Sequence, residues 1–308
     1  MNDQPSAPVA AAPAPVKTVD VLMLFLAAGI YGGIFPVNRL AAEAAWPPMG
    51  FAFLQALIAG VLLAAGLFIA RRGLAASWQH VRAYLVIGGL VIGIPIGILV
   101  TAAEHVDASV LALVLCLSPI VTIMLGAVLR IEQFRMRTLI GMILGTAGIA
   151  IIVLPEAGVI ERAAIGWFLL SLLAPVMFAS ANVCAKLLRP AAASAPEMAA
   201  GTLLGAAAVA LVVMLALGGA MRPPALDAAS ALPLLLAVAI NAAFFWLFFE
   251  LVARIGPARF SLFNYLAVGA GILWSLVAFG EQPAPAFWVS LALMLGGMHL
   301  ALRQGGKG

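Results

Sequence analysis

The stretch ASVLALVLCLSPIVTIMLGAVLRIEQF, residues 108 to 134, decides the class of fold. It is apolar over more than the roughly 20 residues that a helix needs to cross a bilayer. It carries a Ser-Pro pair in its middle and ends in charge at Arg130 and Glu132. Proline removes a helical hydrogen bond, and inside lipid the freed carbonyl is tolerated only beside neighbouring helices or a cavity. The stretch therefore predicts a transmembrane helix with a kink in its apolar part.

The rest of the chain repeats this pattern. Of its residues 65% are hydrophobic and 9% are charged, and its mean hydropathy is +1.17, values that exclude an ordinary soluble domain. We predict an all-α integral membrane protein with ten transmembrane helices, at residues 19–38, 48–70, 81–103, 107–129, 138–154, 164–188, 197–217, 232–253, 257–279 and 286–302. Several of these spans begin near a proline, which suits a first helical turn, at Pro48, Pro196, Pro233, Pro257 and Pro285.

The basic residues predict how the chain lies in the membrane. Residues 1–16 are rich in Ala and Pro and predict a disordered tail rather than a cleaved signal peptide. With that tail in the cytoplasm, thirteen of the sixteen Lys and Arg residues fall on the cytoplasmic side and three on the other side. Positive charge resists translocation, so both termini are expected on the cytoplasmic side of the membrane. We expect that membrane to be a bacterial inner membrane. The basic residues are dispersed singly over loops, which argues against nucleic-acid binding.

The opening stretch has a weak second copy in PARFSLFNYLAVGAGILWSLVAFGEQ, residues 257 to 282. A shift of 149 residues places Glu132 on Glu281 and Gly148 on Gly297. The order of features repeats more clearly than the letters, which indicates an internal repeat. We predict two five-helix repeats, residues 17–155 and 164–303. Because five is an odd number, the second repeat is inverted in the membrane, an arrangement typical of carriers that open alternately to each side.

Three stretches resemble the EamA-type transporters of the drug/metabolite transporter superfamily. Residues 108–132, with their central Ser-Pro, resemble the fourth span of that family. The segment from Tyr31-Gly32 to Arg39 resembles its first span, and the segment from Asn182 to Arg189 its sixth. The sequence differs from the family pattern at Tyr31, where Trp is usual, at Gln55, where Arg is expected, and at Ala267-Val268, where Glu-Pro is common.

Polar residues near the middle of the spans are the candidate substrate contacts. Buried polar groups cost about 1–3 kcal/mol each unless they are paired, so a group of them on helices around one cavity indicates a binding site. A single Asn or Ser, in contrast, is more often a hydrogen bond between helices. The candidates are Tyr31, Gln55, Ser118, Asn182, Asn241, Trp246, Asn264 and Tyr265.

Glu250 is the one carboxylate that we predict inside a span. It is a candidate for proton or cation coupling, because acids inside a membrane are costly. The alternative interpretation is a pair with Arg254, four residues further on the same helix face. Four prolines inside spans mark candidate hinges or cavity walls, or else static kinks, at Pro36, Pro95, Pro119 and Pro175.

These features together predict a secondary-active transporter that works by alternating access. No Lys or Arg lies near mid-membrane, which disfavours phosphate esters and favours small neutral, zwitterionic or amphipathic metabolites. The resemblance favours export of an amino acid or drug-like metabolite, with a proton or an exchange substrate as partner, by a monomer or homodimer. We expect no metal and no cofactor.

The alternative functions are a channel or a non-transport membrane partner protein. An intramembrane enzyme is a less favoured alternative, since HExxH, GxSxG and P-loop motifs are absent from the sequence.

Overall fold

A computed structural model of the chain describes residues 16–106, 108–131, 136–154, 164–218, 227–280 and 285–302. The predicted tail, except for its last residue, lies outside these ranges. So do Glu132 and Glu281, on which the sequence repeat was aligned. Within the described ranges the chain forms helices and no strand.

The described helices follow one another as ten elements, four of which are broken into two halves and are written a and b. They are α1a Thr18–Gly32 and α1b Ile34–Glu43, α2 Pro48–Ile69, α3 Trp78–Ala102 with a π-helical turn at Gly89–Gly93, α4a Ala108–Leu115 and α4b Ser118–Val128, α5 Met136–Val153, α6a Ile165–Ser171 and α6b Leu173–Leu187, α7 Ala195–Ala216, α8 Ala228–Ile255, α9a Pro257–Ser261 and α9b Phe263–Phe279, and α10 Pro285–Leu302.

The prediction of an all-helical membrane protein is confirmed for this part of the chain. Eight elements are long and apolar enough to cross a bilayer. In α4 and α5 the described apolar helical stretches are shorter, Ser118–Val128 and Met136–Ile151. Ten crossings therefore stay a prediction. Large apolar side chains cover the outside, and Ile69 and Val277 are among the most exposed.

Four of the five helix starts predicted at prolines are confirmed, at Pro48, Pro196, Pro257 and Pro285. The prediction for Pro233 is wrong, because that residue lies inside α8. This helix begins earlier because Asp227 and Ser230 form a capping box. The amide of Ser230 donates to the Asp227 carboxylate over 2.8 Å, and the amide of Asp227 donates to Ser230 Oγ over 3.1 Å. The bond from the Ser230 amide also lowers the pKa of Asp227.

Each proline predicted as a hinge lies two or three residues after the end of an interruption in its helix. Gly33 interrupts α1 before Pro36, and Leu172 interrupts α6 before Pro175. The π-helical turn of α3 precedes Pro95, and the turn at Cys116 and Leu117 precedes Pro119. All four prolines are buried. The missing amide of each ring explains why the regular ladder fails nearby. Whether these interruptions move stays a prediction.

The packing of the two halves is related by a simple exchange. If each helix of the first half is exchanged with the helix five places later in the second half, the main helix contacts are reproduced. The contact of α5 with α10 and that of α2 with α7 are unchanged by this exchange. The contact of α1 with α9 corresponds to that of α6 with α4, and the contact of α2 with α8 corresponds to that of α7 with α3.

Small residues allow the self-related pairs to approach closely. A Cβ atom added to Gly141 would meet the carbonyl oxygen of Gly297, and one added to Gly297 would meet that of Gly141. The backbones of α5 and α10 are therefore in direct contact, as is common between helices in a membrane. The interface that relates the two halves thus depends on residues without side chains.

Candidate substrate cavity

A cavity of about 250 Å³ lies among helices of both halves. The first half contributes residues of α1, α3, α4 and α5, and the second half contributes residues of α6, α8 and α9. Its lining includes residues beside the interruptions of α1, α4 and α9. The lining residues are Tyr31, Ile34, Phe35, Asn38, Val91, Ile96, Leu99, Leu115, Cys116, Ser118, Ile149, Phe178, Asn182, Phe244, Phe248, Phe260, Phe263, Asn264, Ala267 and Val268.

Aromatic rings form one wall of the cavity. Tyr31 lies with its ring centroid 4.2 Å from that of Phe244, and the rings of Phe244 and Phe263 are stacked at 4.8 Å. Phe260 and Phe263 are also stacked, at 5.3 Å. Since these rings come from α1, α8 and α9, they join the two halves, and all of them line the cavity. Aromatic linings of this kind bind planar or aliphatic groups and cationic groups.

The polar groups that line the cavity are neutral. They are the side chains of Tyr31, Asn38, Ser118, Asn182 and Asn264, and among the described residues no Asp, Glu, Lys, Arg or His belongs to the lining. Ser118 is only 2% exposed, and its hydroxyl has no hydrogen-bond partner in the described structure. Asn182 donates a long bond of 3.4 Å to Thr122 Oγ1, which leaves its own carbonyl oxygen free for another donor. The cavity thus has hydrogen-bonding capacity that the protein leaves unused.

The interruption of α4 is stabilised by a neighbouring helix. Thr146 of α5 donates its hydroxyl to the carbonyl of Cys116 over 3.3 Å, and within α4b Thr122 donates to the carbonyl of Ser118 over 2.8 Å. An unpaired carbonyl in a bilayer costs several kcal/mol, so the bond from Thr146 helps the helix to break there. Leu115, Cys116 and Ser118 reach the cavity at this break. This is the position at which the Ser-Pro pair predicted a kink.

Four of the eight predicted substrate contacts line the cavity, namely Tyr31, Ser118, Asn182 and Asn264. Gln55 and Asn241 instead bond to each other, the amide of Asn241 donating over 3.0 Å, so they join α2 to α8. The ring of Trp246 is on the outer surface and 54% exposed.

Tyr265 is fully buried away from the cavity lining. Its hydroxyl donates to the carbonyl of Met142 over 2.9 Å and lies 3.0 Å from Thr146 Oγ1. Its ring packs where Gly145 leaves space on α5. The Tyr265 side chain therefore connects α9 to α5 and, through Thr146, to the break in α4.

Glu250 lies outside the cavity lining and is paired. Its Oε1 is 2.7 Å from Arg254 Nη2, and Arg254 Nη1 is 3.6 Å from Asp20 Oδ1. Asp20 belongs to α1 and is 5% exposed, so this cluster joins the start of α1 to the end of α8. The pairing with Arg254 is the alternative that the sequence left open.

Comparison with known proteins places these features in a family. The model of the EamA-like transporter family matches residues 19–154 and again residues 165–303. The chain belongs to the EamA-like transporter family. The resemblance seen in the sequence is thus confirmed, together with a two-repeat architecture. The comparison with curated protein sequences gave no match.

One solved structure, described only as a crystal structure of a protein, has the same fold as this EamA-like chain. The two superpose with a TM-score of 0.78 over 93% of this chain and 97% of the other, at 18% sequence identity. At that identity the likeness supports the fold alone. The apolar helices, the corresponding helix contacts of the two halves and the family match are separate observations, and they agree.

Sequence reasoning missed two features of this EamA-like cavity. Asn38 was taken as the last residue of a span, whereas α1 continues to Glu43 and Asn38 lines the cavity. The aromatic wall was not predicted, because no local signal in the sequence indicates which ring faces inward. Ala267 and Val268, which stand where Glu-Pro is common in the family, also line the cavity, so that the described lining has no carboxylate there.

Proposed function

We propose that this EamA-like protein is a secondary-active transporter of small neutral, zwitterionic or amphipathic metabolites. The observation that carries the proposal is the cavity itself, which lies at broken helices from both halves. Its described lining consists of aromatic rings, amides, hydroxyls and apolar side chains, without a charged group. Transporters with repeated halves bind their substrates at discontinuous helices near mid-membrane. Export of an amino acid or of a drug-like metabolite is the favoured direction.

Alternating access follows from the repeat if the halves are inverted. The exchange of packing partners between α1–α5 and α6–α10 supports a pseudo-two-fold relation. An odd number of crossings in each half would place that axis in the membrane plane, so that the two halves can exchange conformations. We infer five crossings in each half, corresponding to residues 17–155 and 164–303.

One pair of corresponding segments, α4a and α9a, differs in its packing between the two halves. This difference indicates to which side of the membrane the cavity is open in the structure. α9a packs on α4b and α6b, and all five of its residues are buried. Its counterpart α4a packs on α5 and α6 instead of on α9. The cavity reaches the surface at α1b, where the lining residues Phe35 and Asn38 are exposed. We infer a state open at the end of α1 and closed at the start of α9.

The charge distribution supports an inner-membrane orientation with both termini in the cytoplasm. In that orientation the cavity opens to the outside. The coupling partner, a proton or an exchange substrate, and the choice between monomer and homodimer stay predictions.

The alternatives fit the cavity less well. A channel needs a continuous pore with repeated polar or charged rings, whereas this cavity is closed by α9a on one side. An enzyme needs a nucleophile with a base or a metal, and the described residues hold no group of three His, Cys, Asp or Glu residues that fits a metal. A non-transport partner protein would not need unpaired polar groups inside a cavity.

Uptake into proteoliposomes tests the proposal. Purified protein is reconstituted with and without a pH gradient, and a panel of radiolabelled amino acids, amines and neutral drugs is offered. We expect uptake of at least one compound, and a change of selectivity in the double variant Asn182→Ala and Asn264→Ala. The matched control is Asn241→Ala, which removes an amide outside the cavity. Wild-type selectivity in the double variant would remove these residues from the site, and chemical turnover or ungated conductance would contradict a carrier.

A further inference from the structure

We infer that the break in α4 forms a subsite for the carboxylate group of a zwitterionic substrate. The inference rests on the proposed function and adds to it the chemical group that the cavity recognises. Its elements are the amino-terminal end of α4b, the Ser118 hydroxyl and the amide of Asn182, which all meet at the cavity.

The amino-terminal end of α4b provides partial positive charge. This helix has eleven residues, and its Val121 amide bonds back to the carbonyl of Leu117 over 3.0 Å. The first amides of a helix have no partner inside it, and the helix dipole adds about half a positive charge there. Ser118, the first residue of α4b, lines the cavity, so this end is presented to a bound molecule.

The missing hydrogen-bond partner of the buried Ser118 hydroxyl is a second, independent indication that a ligand group binds at this place. A serine in a transmembrane helix commonly donates to the carbonyl three or four residues back. Ser118 makes no such bond in the described structure, although it is 2% exposed. The other fully buried serines near helix breaks do make one, since Ser171 donates to the carbonyl of Phe168 and Ser261 to that of Ala258, each over 2.7 Å. An unused buried donor costs free energy that a bound acceptor recovers.

The second repeat supplies a related helix end to the same cavity. α9b begins at Phe263, and both Phe263 and Asn264 line the cavity. Two amino-terminal helix ends therefore border the cavity, and none of its described lining residues is a carboxylate that would repel an anion. The donors at these ends suit a carboxylate better than an isolated ammonium group. A fully anionic phosphate remains disfavoured because the described lining holds no Lys or Arg to replace its hydration.

The ammonium group of a zwitterion also finds suitable groups within the cavity. The aromatic rings of the lining, among them Tyr31 and Phe178, attract an ammonium group. Leu115, which also lines the cavity, lies four residues before Pro119, and Pro119 has no amide hydrogen to donate to the Leu115 carbonyl. With about 250 Å³ available, the cavity accommodates one small amino-acid-like molecule.

Acid and amide pairs test the subsite by binding, without relying on transport. The probes are phenylalanine and its primary amide, and leucine and its primary amide. Binding is measured from the ligand-dependent rise in the thermal unfolding midpoint of the full chain in detergent. Each amide keeps the side chain and the ammonium group but replaces the carboxylate by a neutral group. We expect each acid to bind at least about tenfold more tightly than its amide, the size of a charge-assisted hydrogen bond.

Substitutions at Ser118 assign that preference to the subsite. Ser118→Ala is expected to abolish the acid preference, and Ser118→Thr, which restores a hydroxyl, to recover it. The control is Ser261→Ala, which removes an equally buried hydroxyl that already has a partner and lies outside the cavity lining. Its acid preference should equal that of the wild type.

The outcomes separate the subsite from the proposed function. Equal binding of acid and amide, absence of binding by both acids, or an acid preference that survives Ser118→Ala would overturn the subsite. If neutral compounds are still transported in that case, and the Asn182 and Asn264 variants change their selectivity, the proposed function stands. If the acids bind as expected but no compound of the panel is transported, the subsite stands and the proposed function fails.

Discussion

Single residues inside the apolar helices fall into two groups that the structure separates by their partners. Tyr265, Gln55 and Asn241 have their polar groups bonded to the protein, while Ser118 keeps a free hydroxyl at the cavity. A bonded polar group in a membrane stabilises the contact between its helices by about 1 kcal/mol. A free group in a cavity contributes nothing until something binds. The partner of each residue, rather than its polarity, therefore indicates its role.

Tyr265 provides a prediction about stability. Tyr265→Phe removes the hydroxyl that bonds to the Met142 carbonyl and lies beside Thr146, while the ring keeps its packing. We expect the free energy of unfolding in detergent to fall by about 1 kcal/mol, with the KM for transport unchanged. Thermal unfolding and uptake kinetics measure the two effects. A large rise in KM without loss of stability would instead make Tyr265 a substrate contact.

Glu250 provides a prediction about coupling. It forms a close pair with Arg254, which also approaches Asp20 on α1, so the geometry favours a brace between α8 and α1. We expect Glu250→Gln to keep the response of uptake to a pH gradient, because the carboxylate is bound by Arg254 and lies outside the cavity lining. The control is Glu43→Gln, which removes the acid of a similar pair with Arg39. Loss of the pH response in Glu250→Gln alone would establish Glu250 as the coupling group.

The helices were largely predictable from the sequence, and their pairing was not. Length and hydropathy placed the spans, and prolines at positions 36, 95, 119 and 175 marked helices that are indeed interrupted. The interruption of α9 at Leu262 has no proline, so no local signal announced it. The bond between Gln55 and Asn241 joins residues 186 positions apart, and only tertiary packing reveals it. Asn38 was missed because span ends are the least defined part of a hydropathy pattern.

The α5 and α10 pair provides a prediction at the scale of elements. Gly297→Ala places a methyl group against the Gly141 carbonyl, so the two helices must move apart. We expect a loss of about 1–3 kcal/mol in the free energy of unfolding, the usual cost of overpacking. The control is Gly296→Ala on the neighbouring position, where an added methyl group meets open space. Equal stability of the two variants in a thermal unfolding assay would contradict the close contact of the two backbones.

For the whole molecule, the decisive feature is the difference between two segments that the repeat makes equivalent. α9a is buried against α4b and α6b, whereas α4a packs mainly on α5 and α6. Exchange of these two arrangements would close the cavity on one side and open it on the other. Because the other main helix contacts correspond between the halves, such an exchange would confine the rearrangement to a few segments, which is the energetic advantage of a repeated fold.

The accessibility of Asn38 tests this account of the state and of the orientation together. Asn38→Cys places a thiol at the exposed mouth of the cavity, and we expect a membrane-impermeant maleimide added outside intact cells to label it. A transported compound should reduce that labelling several-fold, because it favours closure of the mouth.

The control is Lys186→Cys, exposed at the predicted cytoplasmic end of α6b, which should react only after permeabilisation. Wild-type protein, with Cys116 and Cys184, gives the background. The reverse pattern of labelling would invert the proposed orientation, and labelling unaffected by every transported compound would contradict alternating access.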